Sequence, residues 1–223
     1  MTGAATLVFC TSYVADARAW ELRYRRWLQH HRVLPWRDAQ FCLVDDASPY
    51  WPPAAEATSL RVGQPLPAPS PPVLMLHFDQ RLGRSGVTHY PGWWRSFLHS
   101  VAVARHYGCG KIVHIESDAF VLSRRMLAFI ESRERGWTAF WCPRWRFPET
   151  AIQVICADQF EAMDRMAAIG WDNMAGRLAE QVLPFTDVVR EPHGDRYGER
   201  RSRIPGFADF AAQVGPQHRV WFR

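Results

Sequence analysis

Short apolar runs alternate with helical patterns along most of the chain, and this alternation limits its fold more than any other feature. Runs typical of buried strands cover residues 6–13, 40–48, 73–78, 111–115, 138–142 and 151–156. Segments with the spacing of amphipathic helices cover residues 16–31, 92–107, 123–135 and 158–169. Strands that alternate with helices favour a parallel sheet, because parallel neighbours need a crossover connection. The sequence therefore predicts the α/β class, with helices on both faces of a mostly parallel central sheet.

The length and the proline distribution favour one domain. A chain of 223 residues is within the range of a single domain. Residues 49–72 hold eight of the sixteen prolines, which predicts a structured loop rather than a helix. A domain boundary in this loop would leave a first piece too small for a sound core, so we predict a single domain over residues 1–223. Residues 190–203 contain five arginines, three acids and glycines and are expected to form a mobile C-terminal tail.

The charge of the chain points to an anionic small molecule. The net charge of +5 comes from 26 arginines and a single lysine, Lys111, against 22 acidic residues. The sequence lacks a long basic run or a nucleic-acid-binding signature, so no nucleic-acid partner is expected. A phosphate-bearing ligand fits this charge, and so does peripheral association with a membrane surface.

Targeting and cysteine features favour a cytoplasmic location, including the inner face of the membrane. No stretch approaches the ~18 consecutive apolar residues of a membrane span. The apolar run near residue 6 is not preceded by the basic segment of a secretory signal. The five cysteines are widely separated and odd in number, which predicts buried, reduced thiols rather than disulfides or a zinc site.

Acidic residues follow two of the predicted strands at the point where each strand ends. Asp45 and Asp46 end the second apolar run, and Glu116 and Asp118 follow the run at 111–115. In a parallel sheet both pairs reach the same carboxyl edge. Clustered carboxylates repel one another, and a divalent metal that bridges a diphosphate relieves this repulsion. The alternative is that each cluster is an ordinary turn or helix cap.

Three segments in this order, LVFCTSY, LVDDAS and KIVHIESDAFVLS, carry a family resemblance. They resemble the nucleotide-sugar-binding half of GT-A fold glycosyltransferases, especially the family 2-like inverting enzymes. The resemblance implies a single GT-A-like, Rossmann-like domain, with residues 1–120 as the nucleotide-sugar half and residues 121–223 as the acceptor half. It also implies a set of donor-binding residues, namely Thr11, Ser12, Asp45, Asp46, Glu116, Ser117 and Asp118.

The resemblance assigns different roles to the two acid clusters. Asp45 or Asp46 stands where the family contacts the nucleoside. Asp118 matches the second acid of the family's Asp-x-Asp motif, which holds Mn²⁺ or Mg²⁺ together with the diphosphate. Glu116 stands in place of the first Asp, which is a departure from the family's usual pattern. His193 is a further candidate metal ligand, with solvation as the simpler reading.

A weaker likeness extends over the segment AIQVICADQFEAMDRMAAIGWDNMAGRLAEQVLP. It is similar to the family's acceptor segment, in which a turn matched here by Gly170, Trp171 and Asp172 precedes the catalytic base. Glu180 stands where that base would be, although the usual Glu-Asp pair is Glu180-Gln181 here. Glu149, Asp158 and Asp187 remain rival bases.

These residues predict an inverting, metal-dependent glycosyltransferase. It would move a sugar from a UDP-, GDP- or dTDP-sugar to a hydroxyl of a glycan or lipid-linked acceptor, in surface polysaccharide or glycan biosynthesis. One alternative is a sugar nucleotidyltransferase. Such enzymes commonly carry a glycine-rich phosphate loop after the first strand, and the absence of glycine in CTSYVADARAW counts against this alternative. The other is a non-catalytic nucleotide- or sugar-binding protein of the same fold.

Overall fold

A computed structural model describes residues 5–223 of the chain, without the side chain of Asp172. The strands of the main sheet are β1 (Thr6–Ser12), β2 (Ala39–Asp45), β3 (Thr58–Arg61), β4 (Val73–His77), β5 (Lys111–Ile115), β7 (Trp137–Cys142), β8 (Phe147–Cys156) and β9 (Asp187–Val189). A small second sheet contains β6 (Phe120–Val121), β10 (Gly194–Asp195) and β11 (Phe210–Ala211).

The eight strands of the main sheet have the order β3-β4-β2-β1-β5-β8-β7-β9. From β3 to β5 all neighbours are parallel, whereas β8 is antiparallel to both β5 and β7. Only residues 143–146 connect β7 to β8, and a connection this short permits an antiparallel pair but not a crossover. The predicted α/β class with a mostly parallel sheet is confirmed.

The helices are α1 (Ala17–Ala19), α2 (Arg26–Arg32), α3 (Pro91–His106), α4 (Arg124–Ser132), α5 (Phe160–Ile169) and α6 (Ala179–Val182). A π-helical turn, Trp20–Arg25, connects α1 directly to α2. Two side chains cap helices as their residue types favour: Asp16 accepts a hydrogen bond from the backbone of Ala19 at 2.7 Å, and Ser123 accepts one from Met126 at 3.1 Å.

The core forms two apolar layers, one on each face of the main sheet. Successive side chains of a strand point to opposite faces, so Leu7 and Phe9 of β1 join one layer, whereas Val8 and Cys10 join the other. The first layer contains the buried faces of α3 and α5, and the second contains those of the π-helical turn, α2 and α4. Helices therefore cover both faces, which leaves the carboxyl edge of the parallel strands open for a site.

The structure departs from the sequence prediction in the proline-rich loop. Within residues 49–72, β3 forms an edge strand that pairs in parallel with β4. It lies between the prolines at 53 and 65, in a short stretch where every backbone amide can donate. Four residues without a strong apolar pattern are too weak a signal to predict a strand from the sequence. The backbone hydrogen bonds to β4 stabilise the strand instead.

The C-terminal segment packs against the first half of the chain. Residues 190–203 contain β10 and a 3₁₀ turn at Tyr197–Glu199, and the mobility expected for them stays a prediction. The guanidinium of Arg26 donates hydrogen bonds to the carbonyls of Gly215, at 2.9 Å, and His218. The five cysteines are buried and free, as expected. Among residues 5–223, no helix has the length and apolar character needed to cross a membrane.

Candidate active site

An open cavity of about 760 Å³ lies at the carboxyl ends of β1, β2 and β5. Residues from β8 and α6 form its other side. Seven of the predicted site residues line this cavity: Thr11, Ser12, Asp46, Glu116, Ser117, Asp118 and Glu180. The two acid clusters therefore meet at one edge of the sheet, as the parallel topology predicts, and Glu180 faces the same space.

Asp45 lies beneath the cavity rather than in its lining. Its side chain is fully buried, and Oδ1 accepts hydrogen bonds from the backbone of Ser48 at 2.7 Å and from His77 Nδ1 at 2.9 Å. Oδ2 accepts from the hydroxyl of Ser12 at 3.1 Å. The structure thus does not place Asp45 where a nucleoside would touch it. The carboxylate instead holds the ends of β1, β2 and β4 together.

Asp46 faces the cavity and organises the loop that follows β4. Its oxygens accept hydrogen bonds from the backbone of Leu82 at 3.1 Å and Gly83 at 2.7 Å, and from Arg95 at 2.5 Å. Gly92, at the start of α3, lies so close that a Cβ there would overlap the carboxylate. All of these partners are protein groups, so Asp46 fixes the wall of the cavity whether or not it also contacts a ligand.

The second acid cluster forms a tight turn after β5. The backbone of Ala119 donates to the carbonyl of Glu116 at 2.8 Å, which closes the turn and directs both carboxylates toward the cavity. Burial, together with the negative charges of Asp118 and Glu149, raises the pKa of Glu116 to about 8. Burial also raises the pKa of Asp118, and Arg23 opposes this rise. Burial therefore disfavours the charged form of both carboxyl groups.

One oxygen of Asp118 has a protein partner and the other has none. Arg23 contacts Oδ2 at 3.2 Å and donates from Nε to the hydroxyl of Ser117. Oδ1 is buried without a hydrogen-bond partner among the described residues. A buried carboxylate oxygen normally finds a donor or a metal, because leaving it unpaired is costly.

A bidentate ion pair organises the side of the cavity formed by β8 and α6. Arg196, from the C-terminal segment, donates to Glu149 Oε2 at 2.5 Å and Oε1 at 3.1 Å, and to Glu180 Oε1 at 3.4 Å. The hydroxyl of Thr150 also donates to Glu180 Oε1, at 3.1 Å. The side chain of Glu149 is only 2% exposed. Its burial raises its pKa, which the contact with Arg196 opposes.

The other candidate acids lie elsewhere. Asp158 accepts from the backbone of Gly136 at 2.9 Å, and Asp187 pairs with Arg133 at 2.8 Å. Neither lines the cavity, which leaves Glu149 and Glu180 as the candidate bases that face it.

His193 also lies outside the cavity lining, on the surface. It is exposed, and its ring lies 3.3 Å from Glu191. The structure therefore does not bring His193 to Glu116 and Asp118. His193 directly precedes β10, and β10 pairs with β11 in the small second sheet.

Aromatic and cationic groups on one side of the cavity come from loops after β1 and β4. The guanidinium of Arg81 lies 3.7 Å from the ring centroid of Tyr13 and donates to its hydroxyl at 2.9 Å. Arg84 lines the cavity nearby, beside Tyr90. These loops place two guanidinium groups over aromatic rings at the cavity, and guanidinium groups are suited to binding phosphate.

The residues fit a divalent metal that is bound jointly with a phosphate. No group of three His, Cys, Asp or Glu side chains in residues 5–223 is placed to hold a metal alone. Mg²⁺ and Mn²⁺ commonly take one or two carboxylates and complete their coordination with phosphate oxygens and water. Glu116 and Asp118 both face the cavity from the turn after β5, and Asp118 has an unpartnered oxygen, so these are the two carboxylates placed to do this.

Comparison with protein-family models and with curated proteins found no match. Among solved structures, the chain is similar to a glycosyltransferase involved in the glycosylation of the major capsid of PBCV-1. The sequence identity is 10%, the alignment covers 95% of each chain and the TM-score is 0.46. Similarity at this level does not indicate an activity for this chain.

Proposed function

We propose that this protein is a glycosyltransferase that moves a sugar from a nucleotide-diphosphate sugar to a hydroxyl acceptor with inversion. The observation that carries the proposal is the meeting of Glu116, Asp118 and Glu180 in one open cavity at the carboxyl edge of the sheet. A volume of about 760 Å³ is within the ~300–1,000 Å³ of sites that hold ligands of this size. UDP-, GDP- and dTDP-sugars are the candidate donors, and a glycan or a lipid-linked glycan is the candidate acceptor.

Asp118 and Glu116 are proposed to hold Mn²⁺ or Mg²⁺. When bound, the cation supplies positive charge to the departing diphosphate. The two carboxylates lie in the turn after β5, and the arginines at 81 and 84 supply further positive charge along the same cavity. This division of charge, acidic at the end of β5 and basic after β4, supports a ligand that carries both a cation and a polyanion.

Glu180 is proposed as the general base that takes the proton of the acceptor hydroxyl. Thr150 and Arg196 both contact Oε1, so the carboxylate is held in one orientation while Oε2 has no contact with either of them. A base that is fixed in this way transfers a proton more efficiently than one that samples several rotamers. Glu149 is the weaker candidate because Arg196 occupies both of its oxygens.

A thermal-shift screen tests donor binding. UDP-, GDP- and dTDP-sugars are each added with Mn²⁺ or with chelator. A donor at 100 times its Kd should stabilise the native state by ~2.7 kcal/mol, which corresponds to a Tm increase of roughly 5–11 °C for a chain of this length. If none of them changes Tm, the proposed function is wrong.

Asp118→Asn should remove the Mn²⁺-dependent part of the Tm increase while the variant remains folded. Asp164→Asn is the matched control, because Asp164 pairs with Arg105 on the surface at 2.5 Å, outside the cavity. Equal Mn²⁺ dependence in the two variants would contradict the metal role of Asp118.

A product assay separates the proposed activity from its two alternatives. A transferase releases the nucleoside diphosphate and forms a new glycoside, whose inverted anomeric configuration is read by NMR. A nucleotidyltransferase instead joins a nucleoside triphosphate to a sugar phosphate and releases pyrophosphate. A binding protein gives the thermal shift with neither product, and retention at the anomeric carbon would exclude Glu180 as the base of a single displacement.

A further inference from the structure

Arg23 occupies the carboxylate that the proposed function assigns to a divalent cation. Its guanidinium contacts Asp118 Oδ2 at 3.2 Å and the hydroxyl of Ser117, although its side chain is 49% exposed. Both partners belong to the turn after β5, and Arg23 is 95 positions away from Asp118 in the sequence. The arrangement therefore gives the turn a positive charge that comes from the chain itself.

The backbone around Arg23 is held in an uncommon winding. Arg23 lies in the π-helical turn Trp20–Arg25, and such turns occur frequently at functional sites. The flanking Trp20 and Tyr24 are buried, and the hydroxyl of Tyr24 both accepts from the amide and donates to the carbonyl of Tyr13 at 3.0 Å. The turn is thus attached to the end of β1, so Arg23 is presented to the cavity from a fixed base.

The guanidinium also has space beside it. A second cavity of about 460 Å³ lies next to the first, and Arg23, Ser117 and Asp118 line both. Arg23 therefore lies at the boundary between the two cavities. A side chain that is half exposed and borders open space on both sides can leave one acceptor for another without displacing the core.

We propose that Arg23 competes with a divalent cation for Asp118 and moves to the diphosphate when metal and nucleotide bind together. This inference rests on the proposed function. A guanidinium and a divalent ion on one carboxylate repel each other, so Arg23 weakens the binding of metal alone. A diphosphate gives the guanidinium acceptors that match its fork of donors. Arg23 thereby couples metal binding to nucleotide binding.

The test measures Mn²⁺ binding to the free protein by electron paramagnetic resonance, without any substrate or turnover. Arg23→Gln should bind Mn²⁺ about tenfold more tightly than the unaltered protein, the change that ~1.4 kcal/mol produces in an equilibrium constant. The same variant, titrated at saturating Mn²⁺ with UDP, GDP and dTDP in calorimetry, should bind the diphosphate about tenfold more weakly. A residue with only a structural role would move both affinities in the same direction.

Two further variants serve as controls. Arg23→Lys keeps the positive charge and should keep the weak Mn²⁺ binding of the unaltered protein. Arg25→Gln makes the same substitution on the same turn, at a residue that pairs with Glu21 at 2.7 Å and does not line the cavity. It should leave both affinities unchanged.

Distinct outcomes separate the failure of this inference from the failure of the proposed function. Equal Mn²⁺ affinity in Arg23→Gln and the unaltered protein, with normal diphosphate binding, overturns the competition and leaves the proposed function standing. If neither Arg23→Gln nor the unaltered protein binds Mn²⁺, the competition is also overturned. A lack of any nucleotide binding, with or without Mn²⁺, overturns both. If Arg23→Gln does not fold, Arg23→Met takes its place as the variant without the charge. Equal Mn²⁺ affinity in Arg23→Lys and Arg23→Met would then overturn the inference.

Discussion

Replacing Arg196 by methionine should convert Glu149 from a paired carboxylate into an unpaired one. Methionine keeps much of the apolar stem of arginine but removes the charge that contacts both oxygens of Glu149, at 2.5 and 3.1 Å. One other contact remains for that carboxylate, from the backbone of Ala151 at 3.1 Å. Because the Glu149 side chain is 2% exposed, water cannot replace the lost partner without rearrangement.

The size of the loss follows from how the variant can relieve it. Breaking a buried ion pair costs ~3–5 kcal/mol. Protonation limits this cost, because a carboxyl with an ordinary pKa of ~4.3 takes up a proton for about 3.7 kcal/mol at pH 7 and about 1 kcal/mol at pH 5. Arg196 is 20% exposed in the native state, so water already screens part of the pair. We therefore expect a loss of about 2–3 kcal/mol at pH 7 and at most about 1 kcal/mol at pH 5.

The sign of the pH dependence is fixed by linkage. In the variant, the folded-state pKa of Glu149 is raised above its unfolded value, so the folded state binds more protons between the two values. The stability deficit of the variant is therefore small at low pH and grows as pH rises from the unfolded pKa toward the folded one.

Thermal and urea unfolding at pH 5 and pH 7 measure this effect. A loss of 2–3 kcal/mol lowers Tm by roughly 4–12 °C for a chain of this length. Adding Glu149→Gln to Arg196→Met should restore most of the loss at pH 7, because the unpaired charge is gone. Arg201→Met, at an exposed arginine of the same segment, should stay within ~0.5 kcal/mol. A loss that is equal at both pH values, or that Arg201→Met reproduces, would refute the reasoning.

Two further substitutions test the chemistry and the cavity wall. Glu180→Gln should lower kcat by ~10²–10⁴ while donor affinity and Tm barely change; near-normal turnover would transfer the role of base to Glu149. Gly92→Ala should destabilise the fold by ~1–3 kcal/mol, because the added methyl group overlaps the Asp46 carboxylate, and unfolding midpoints equal to those of the unaltered protein would contradict the tight packing.

The features that the sequence predicts well are those set by local chemistry and by topology. Asp16 and Ser123 cap helices because their side chains accept from the backbone two or three residues on, a contact that needs no distant partner. The acids after β2 and β5 reach one edge because both strands are parallel to β1. Alternation of strands and helices is sufficient to predict that direction, and hence the position of the site.

The sequence could not predict which of Asp45 and Asp46 faces the cavity. The two residues are adjacent and chemically identical, and successive side chains at a strand end point in different directions. Both carboxylates are buried, and Asp45 is the one that lies beneath the cavity because it contacts Ser48 and His77. The resemblance offered either residue as the nucleoside contact, and the structure places only Asp46 in the cavity.

Two of the arginines that pair with site acids, Arg23 and Arg196, could not be identified from the sequence. Arg23 sits in a stretch whose apolar spacing predicts a regular helix, and a π-helical turn leaves no distinct signal in that pattern. Arg196 is one of five arginines in residues 190–203, and nothing in its immediate sequence separates it from the others. Ion pairs across long separations depend on tertiary packing, so only the tail's general positive charge could be anticipated.

The contacts of the C-terminal segment have a consequence for the order in which the protein folds during synthesis. Glu149 is translated 47 residues before its partner Arg196, and Arg26 is translated 189 residues before Gly215. Until Arg196 and Gly215 leave the ribosome, the carboxylate of Glu149 has no counterion and α2 lacks its contact with the C-terminal segment. Contacts between distant residues also slow folding, because the loop between them must close before they form. The ion pair on this side of the cavity can therefore form only after Arg196 has been synthesised, and Arg196 follows all eight strands of the main sheet in the chain.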